Sequence, residues 1–291
     1  MIEIKDICFS YEDGTKALKK INLNINSGEK IAFLGANGSG KSTLFLCLNG
    51  ILKPQSGEIL YEGKPMDYAR KGMLELRSKV GIVFQDPDNQ LFSSSVYQEI
   101  SFGILNLGVD DYTARTKVED IMEELEITPY KDRPTHLLSG GQKKQVALAD
   151  ILVMEPEVLI MDEPVSALDP KHTEMLYETL NNLQGRGITL IVSTHDVDFA
   201  LEWADRVVIF KEGEMADVGA PEEVFLNKAL LERCNLLVPK VIKLHTTLVA
   251  HGILKKELEV PRNLEILEGY LIENYIQMNY SETVTEEKKN E

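Results

Sequence analysis

The sequence predicts an α/β fold built on a parallel sheet. Three observations predict it. Short apolar runs at 31–34, 158–161, 189–192 and 207–210 alternate with helical stretches. The first run ends in a glycine-rich loop that opens a helix. The second delivers an acidic pair, Asp162-Glu163, to the strand end, where such sheets bind ligands.

Taken in order, Ile2 and Ile4, then Ile21, Leu23 and Ile25, recur at period two around a Glu-Asp-Gly turn at 12–14. That predicts an antiparallel β subdomain. The continuous run 31–34 predicts a buried strand, and 42–48 a helix start. Further strands are expected at 57–61 and 80–84. From about 86 to 137 the pattern turns helical, with Val118, Ile121, Met122 and Leu125 on one face. Gly-Ala-Pro-Glu-Glu-Val at 219–224 predicts a loop ending in a helix start. Beyond about 236 the pattern is amphipathic but holds no chemistry, and the polar stretch 281–291 is expected to fray.

Composition bounds the function. With 43% hydrophobic residues, a chain of 291 suffices for one large core, or a core plus a small second domain. A net charge of -16 disfavours nucleic acid as the main partner, because phosphate backbones need a concentrated positive surface. The three cysteines form no C-x-x-C and are expected as reduced, packed thiols. The start MIEIKD does not read as a secretory signal, and no apolar run approaches the roughly 20 residues that cross a bilayer. No direct membrane span is expected, so any service to a membrane is from outside the lipid.

Gly35-Ala-Asn37-Gly38-Ser39-Gly40-Lys41-Ser42 is a complete G-x-x-x-x-G-K-[ST] loop in the strand-to-helix context that gives the motif its meaning. Glycines let backbone N–H groups wrap closely around phosphate, and the helix N-terminus adds positive potential. Lys41 is expected to neutralise the β- and γ-phosphates, Ser42 to offer oxygen to Mg²⁺, and Thr43 to reach the α-phosphate. Asp162 is the expected Mg²⁺ carboxylate, and Glu163 the group that orients or deprotonates water. ATP and Mg²⁺ are thus the expected cofactors. Ser139-Gly140-Gly141-Gln142 opens a second helix and makes another anion site of N–H groups and a hydroxyl. Two phosphate half-sites that do not easily serve one nucleotide are reconciled by two chains facing each other, each covering the other's γ-phosphate.

With these motifs in this order, residues 1–225 resemble the ABC ATPases. The resemblance implies an ABC ATPase domain over 1–225 with a helical subdomain at about 86–155. An α-rich extension with a frayed acidic tail then covers 226–291. It also implies that Tyr11 stacks on adenine and that Gln85 touches Mg²⁺ or water. The segment Ser166-Ala-Leu-Asp169 would cross the dimer interface, and His195 would contact the γ-phosphate. Many members carry an arginine three residues after the signature glutamine. Gln145 stands there instead, which alters a salt bridge of the helical subdomain and removes no catalytic group. The stretch Phe84-Gln-Asp-Pro-Asp-Asn-Gln90-Leu-Phe, then Phe102-Gly103, is similar to energy-coupling-factor importers. That likeness implies an importer ATPase, homodimeric or paired with a sister subunit. It would sit on the cytoplasmic face under a transmembrane coupling protein and a substrate-binding membrane subunit. Cobalt ion is the first cargo implied, then nickel or a water-soluble vitamin. Leu91, Phe92 and Phe102 are candidates for the membrane-partner contact. The rival class, ABC ATPases acting on DNA or ribosomes, uses long coiled coils or tandem cassettes. Here only about 100 residues without heptads separate the phosphate loop from the signature.

Overall fold

In the computed structural model, which describes the backbone of residues 1–166 and 168–287 and the side chains up to 276, β1 (Ile2–Ser10) and β2 (Lys16–Ile25) pair antiparallel. Register is set by alternation. Ile2 lies opposite Ile25 and Ile4 opposite Leu23, all turned inward. β3 (Lys30–Leu34) follows, then α1 (Lys41–Leu48), β4 (Ser56–Tyr61) and the two-residue β5 (Lys64–Pro65). These complete a four-stranded sheet in the order β2-β1-β4-β5.

The main sheet gathers β3, β6 (Val80–Val83, after α2, Arg70–Lys79), β7 (Val158–Met161), β8 (Thr189–Ser193), β9 (Arg206–Lys211) and β10 (Glu214–Gly219). Its order is β10-β9-β3-β8-β7-β6, parallel except for the β9–β10 hairpin. The pleat sends alternate residues to two different cores. Ile31, Phe33, Val158 and Ile160 pack toward the antiparallel sheet and α1. Ala32, Leu34, Leu159 and Met161 pack toward the helices. Phe33 meets Phe45 edge to face at 5.2 Å, and burial of such a ring stabilises by roughly 2–3 kcal/mol.

Between β6 and β7 lie α3 (Val96–Asn106), α4 (Asp111–Glu124) and α5 (Gly140–Leu152). Ser95, Asp110 and Ser139 cap their first turns with side-chain oxygens. Ala114, Val118, Ile121 and Met122 form the buried face of α4. After β7, α6 (Pro170–Gly185) is capped by Asp169 with proline in its first turn, and α7 (Val197–Trp203) is capped by Asp196. α8 (Pro221–Val224) fits the expected loop-to-helix transition. α9 (Lys228–Arg233), α10 (Lys240–Ala250) and α11 (Leu264–Glu287) follow. Phe225, Leu231, Ile242 and Leu267 join the helical core, so the segment after 225 is packed onto the cassette. The tail expected to fray is helical backbone as far as Glu287, and 288–291 lie outside the described residues. No helix among the described residues is long and apolar enough to cross a membrane.

Candidate active site

Parallel strands bring their C-terminal ends to one edge of the sheet. There β3 releases the phosphate loop, β6 releases Gln85, β7 releases Asp162 and Glu163, and β8 leads through Ser193 to His195. A cleft of about 270 Å³ opens at that edge. Tyr11, residues 37–43, Gln85, Asp162 and Glu163 line it.

Two glycines of the loop are dictated by geometry. Gly35 has φ 146° and a Cβ there would overlap the Phe210 carbonyl. Gly40 has φ 112° and precedes α1, with the Ala17 carbonyl 2.5 Å from where a Cβ would lie. Lys41 is buried, and its ammonium donates to the carbonyls of Gly35 at 2.6 Å and Ala36 at 3.3 Å. Burial pushes its pKa down, while Glu163 and Asp162 oppose the shift. Ser42 stays exposed at the start of α1. Tyr11 is 42% exposed, and its hydroxyl shares a 2.9 Å hydrogen bond with that of Thr43. The ring packs edge-on to Phe9 at 5.1 Å, which leaves the adenine platform expected at Tyr11 anchored on both sides.

Glu163 adopts φ 47°, in the left-handed region. For a non-glycine residue that costs roughly 1–3 kcal/mol and persists only where surroundings hold it. One restraint is Ser193. Its hydroxyl accepts from the Glu163 N–H at 2.8 Å and donates to Asp162 Oδ1 at 2.5 Å. Ser193 escaped the motif reading, although its place two residues before His195, at a strand end, is the signal that would have found it. Ser193→Ala leaves a buried N–H unpaired, a cost of roughly 1–3 kcal/mol. Calorimetry should show a Tm lower by several degrees, and ATP turnover should fall about tenfold.

His195 Nε2 lies 2.9 Å from Glu163 Oε1 and 3.0 Å from Asn37 Oδ1, so the imidazole bridges the phosphate loop and the acidic pair. Burial raises the Glu163 pKa; His195 and Lys41 oppose this, and Asp162 reinforces it. A carboxyl with a raised folded-state pKa stabilises the ligand-free fold below its unfolded pKa. That contribution is lost as pH rises through the folded value. A base needs the ionised form. kcat/KM should therefore decline on the acid side with a midpoint above the roughly 4.3 of a free glutamate, and a pH–rate profile checks this.

The oxygens of Ser42, Gln85 and Asp162 form a hard donor set suited to Mg²⁺ completed by phosphate and water. Among the described residues no group of three or more His, Cys, Asp or Glu side chains is placed to hold a metal.

The structure does not bring Ser139, Gly140, Gly141, Gln142 or Asp169 into this cleft. Ser139 and Gly140 are exposed at the first turn of α5, where Ser139 and Gln142 form a reciprocal capping box. Asp169 caps α6 and holds His172 Nδ1 at 2.8 Å; Ala167, in the same loop, lies outside the described residues. The loop after Gln85 is tied to α5. Lys143 Nζ meets Asp88 Oδ1 at 2.5 Å, and Gln90 Nε2 donates to the Ala147 carbonyl at 2.8 Å and to Asp150 at 3.2 Å. Burial raises the Asp150 carboxyl to about 7. Gln145 accepts from the Tyr130 hydroxyl at 3.0 Å, so a neutral pair stands where the family often has an arginine. Phe92 and Phe102 are exposed and pack edge to face at 4.9 Å. Leu91 is partly buried against the helical core.

A glycine-rich phosphate loop, a strand-end Asp-Glu pair and a histidine from the neighbouring strand define a P-loop nucleoside triphosphatase. The family model described as ABC transporter matches residues 18–166. The Energy-coupling factor transporter ATP-binding protein EcfA3 of Clostridium perfringens is 49% identical over 242 residues, 83% of this chain and 85% of that protein. The corresponding EcfA of Methanocaldococcus jannaschii is 43% identical over 244 residues, 84% of this chain and 88% of that protein. The solved structure of cbiO1 from Clostridium perfringens, described as part of the ABC transporter complex cbiONQ, is 49% identical. Its TM-score is 0.70, over 84% of this chain and 98% of that one. A dimeric ATP-binding cassette in a post-hydrolysis state with ADP and Pi is 28% identical with a TM-score of 0.70, over 76% and 99%. The chain belongs to the ABC transporter ATP-binding proteins, in the energy-coupling factor EcfA family. It is the ATP-hydrolysing subunit of an energy-coupling-factor ABC transporter.

Proposed function

We propose that two such subunits close head to tail over two ATP molecules and thereby drive uptake through a membrane partner. The observation that carries this reading is the division of one chain into two half-sites. Tyr11, Asn37, Gly38, Ser39, Gly40, Lys41, Ser42, Thr43, Gln85, Asp162 and Glu163 line one cleft, with Gly35 against Lys41 and His195 beside Glu163, and these are the residues proposed to hold one nucleotide. The first turn of α5, Ser139–Gln142, lies outside it, with Ser139 and Gly140 exposed and Gly141 and Gln142 half-buried. A second subunit, identical or a sister ATPase, supplies that turn as a lid over the γ-phosphate, with Asp169 at the seam. Closure excludes water and completes the electrostatic cradle. Ser42, Gln85 and Asp162 would hold Mg²⁺, which would supply charge neutralisation at the phosphates. Glu163 orients or deprotonates the attacking water, and His195 contacts the γ-phosphate and helps position that water.

The proposed domains are an ATPase domain over 1–225, its helical part at about 86–155, and an α-rich extension over 226–291. The exposed Phe92–Phe102 pair is the apolar surface offered to a transmembrane coupling protein. It lies beside the loop that starts at Gln85 and is tied to α5 by Asp88 and Gln90. Such a complex works at the cytoplasmic face, with cargo bound elsewhere in it. Cobalt ion is the first cargo proposed, with nickel or a water-soluble vitamin next. The similarity to a protein of the cbiONQ complex supports the coupling-factor arrangement. The test is gel filtration of Glu163→Gln at saturating ATP. An ATP-dependent dimer is expected, and a chain that stays monomeric would remove the sandwich.

A further inference from the structure

Lys144 has no part in the scheme above, yet its surroundings are unlike those of a solvated helix lysine. It sits in the second turn of α5 and is half-buried. Its ammonium donates to three backbone carbonyls of one turn: Glu163 at 3.5 Å, Pro164 at 2.9 Å, and Ser166. An ammonium has three N–H donors, so this turn uses all of them. The turn is the one that holds Glu163 in its left-handed conformation. It is also the one that leads into Asp169 and α6.

Packing joins α5 to α6 at Gly141, against which the His172 ring lies. A cavity of about 380 Å³ lies between α5 and α6, with Gln145, Leu148, Met161 and Leu176 on its walls and Lys144 among its lining residues. Where side chains leave a void, dispersion transmits little, and a discrete polar tie transmits more. Lys144 is such a tie. Burial lowers its pKa, and the charges of Glu163 and Asp86 oppose the shift.

We infer that Lys144 is a positioning residue for hydrolysis: it fastens the Glu163 turn of one site to the helix whose first turn covers the opposite nucleotide. The inference rests on the head-to-tail reading. Within it, one helix has both duties. Ser139–Gln142 sits on the partner's ATP, and Lys144, five residues after Ser139, holds the chain's own Glu163 turn. Seating of the lid is thereby reported to the base of the other site through the Lys144 side chain.

The test compares wild type, Lys144→Met and Lys144→Arg in steady-state ATP hydrolysis by the full chain, with thermal melts as a fold check. Lys144→Met is expected to lower kcat by about 10- to 100-fold while KM for ATP changes less than about twofold. Lys144→Arg keeps the charge and donors and is expected to recover most of the loss. In a Glu163→Gln background, adding Lys144→Met should leave the ATP-trapped dimer intact by gel filtration, so that seating survives while turnover does not. A Lys144→Met kcat within twofold of wild type overturns the inference. So does an arginine variant as slow as the methionine one at native Tm, or a double variant that no longer dimerises. If Lys144→Met fails to fold, Lys144→Gln carries the same comparisons. Failure of Glu163→Gln alone to dimerise sinks the head-to-tail reading instead and leaves the kcat comparison to be judged for the turn alone.

Discussion

Glu163→Gln should lower kcat by about 100- to 10,000-fold, the range spanned by a positioned general base. Glutamine has the same shape and can still sit beside His195, 2.9 Å from Oε1 in the native chain. What it lacks is the ability to accept a proton at the operating pH. KM should therefore change little, because the lesion falls on the chemical step and not on ATP binding. The same substitution removes a carboxylate whose ionisation burial opposes. The ligand-free variant should accordingly melt no lower than wild type near neutral pH, where the native group carries its desolvation cost. Single-turnover hydrolysis and calorimetry on one preparation measure both. A variant with near-native kcat would transfer the base role elsewhere.

Lys41→Met should have the second largest effect, with a different kinetic signature. Lys41 belongs to the glycine-rich loop, and its ammonium donates to the carbonyls of Gly35 and Ala36. Loss of one such electrostatic donor costs roughly 100- to 1,000-fold in turnover. Here ATP affinity should fall as well, since the charge acts on bound and reacting phosphate alike. Stability should move the other way. Burial depresses the Lys41 pKa, so the folded chain disfavours the charged form that dominates at neutral pH. Methionine removes that cost, and the ligand-free Tm should equal or exceed that of wild type. ATP should raise the Tm of wild type and not of the variant. An ATP-dependent melt of Lys41→Met resembling wild type would contradict the assignment.

Under the head-to-tail reading, the ties around α5 let the helical segment act as one lever. Asp88 and Gln90 join it to the loop beyond Gln85, and Lys144 joins it to the Glu163 turn. A displacement at the Phe92–Phe102 surface therefore has polar routes toward both catalytic edges. The buried Glu99 stiffens that surface, accepting from the Phe92 N–H at 2.9 Å and the Ser93 N–H at 2.5 Å.

Much of this was legible in the one-dimensional order of residues, and for a local reason. The phosphate loop is eight consecutive residues whose glycines and lysine set backbone shape and charge by themselves. Period-two alternation likewise specified the β1–β2 hairpin, because a one-residue slip would turn Ile2, Ile4, Leu23 and Ile25 to water. The continuous apolar runs foretold buried strands, and the strand-end Asp162-Glu163 pair foretold where carboxylates would be delivered. For Ser193, Gln90, Asp88 and Lys144 the residue order named no partner. Each acts on an atom 20 to 60 residues away, and nothing in a single serine, glutamine, aspartate or lysine names its distant partner. Residue order thus determined the elements and the ATP chemistry, through short-range backbone geometry and side-chain charge. Only the tertiary structure, through the strand order β3-β8-β7-β6, decided that Ser193 would lock Asp162 to Glu163 and that one lysine would join the signature helix to the catalytic turn. Those are distances between strand and helix ends, set by packing two cores on opposite faces of one sheet.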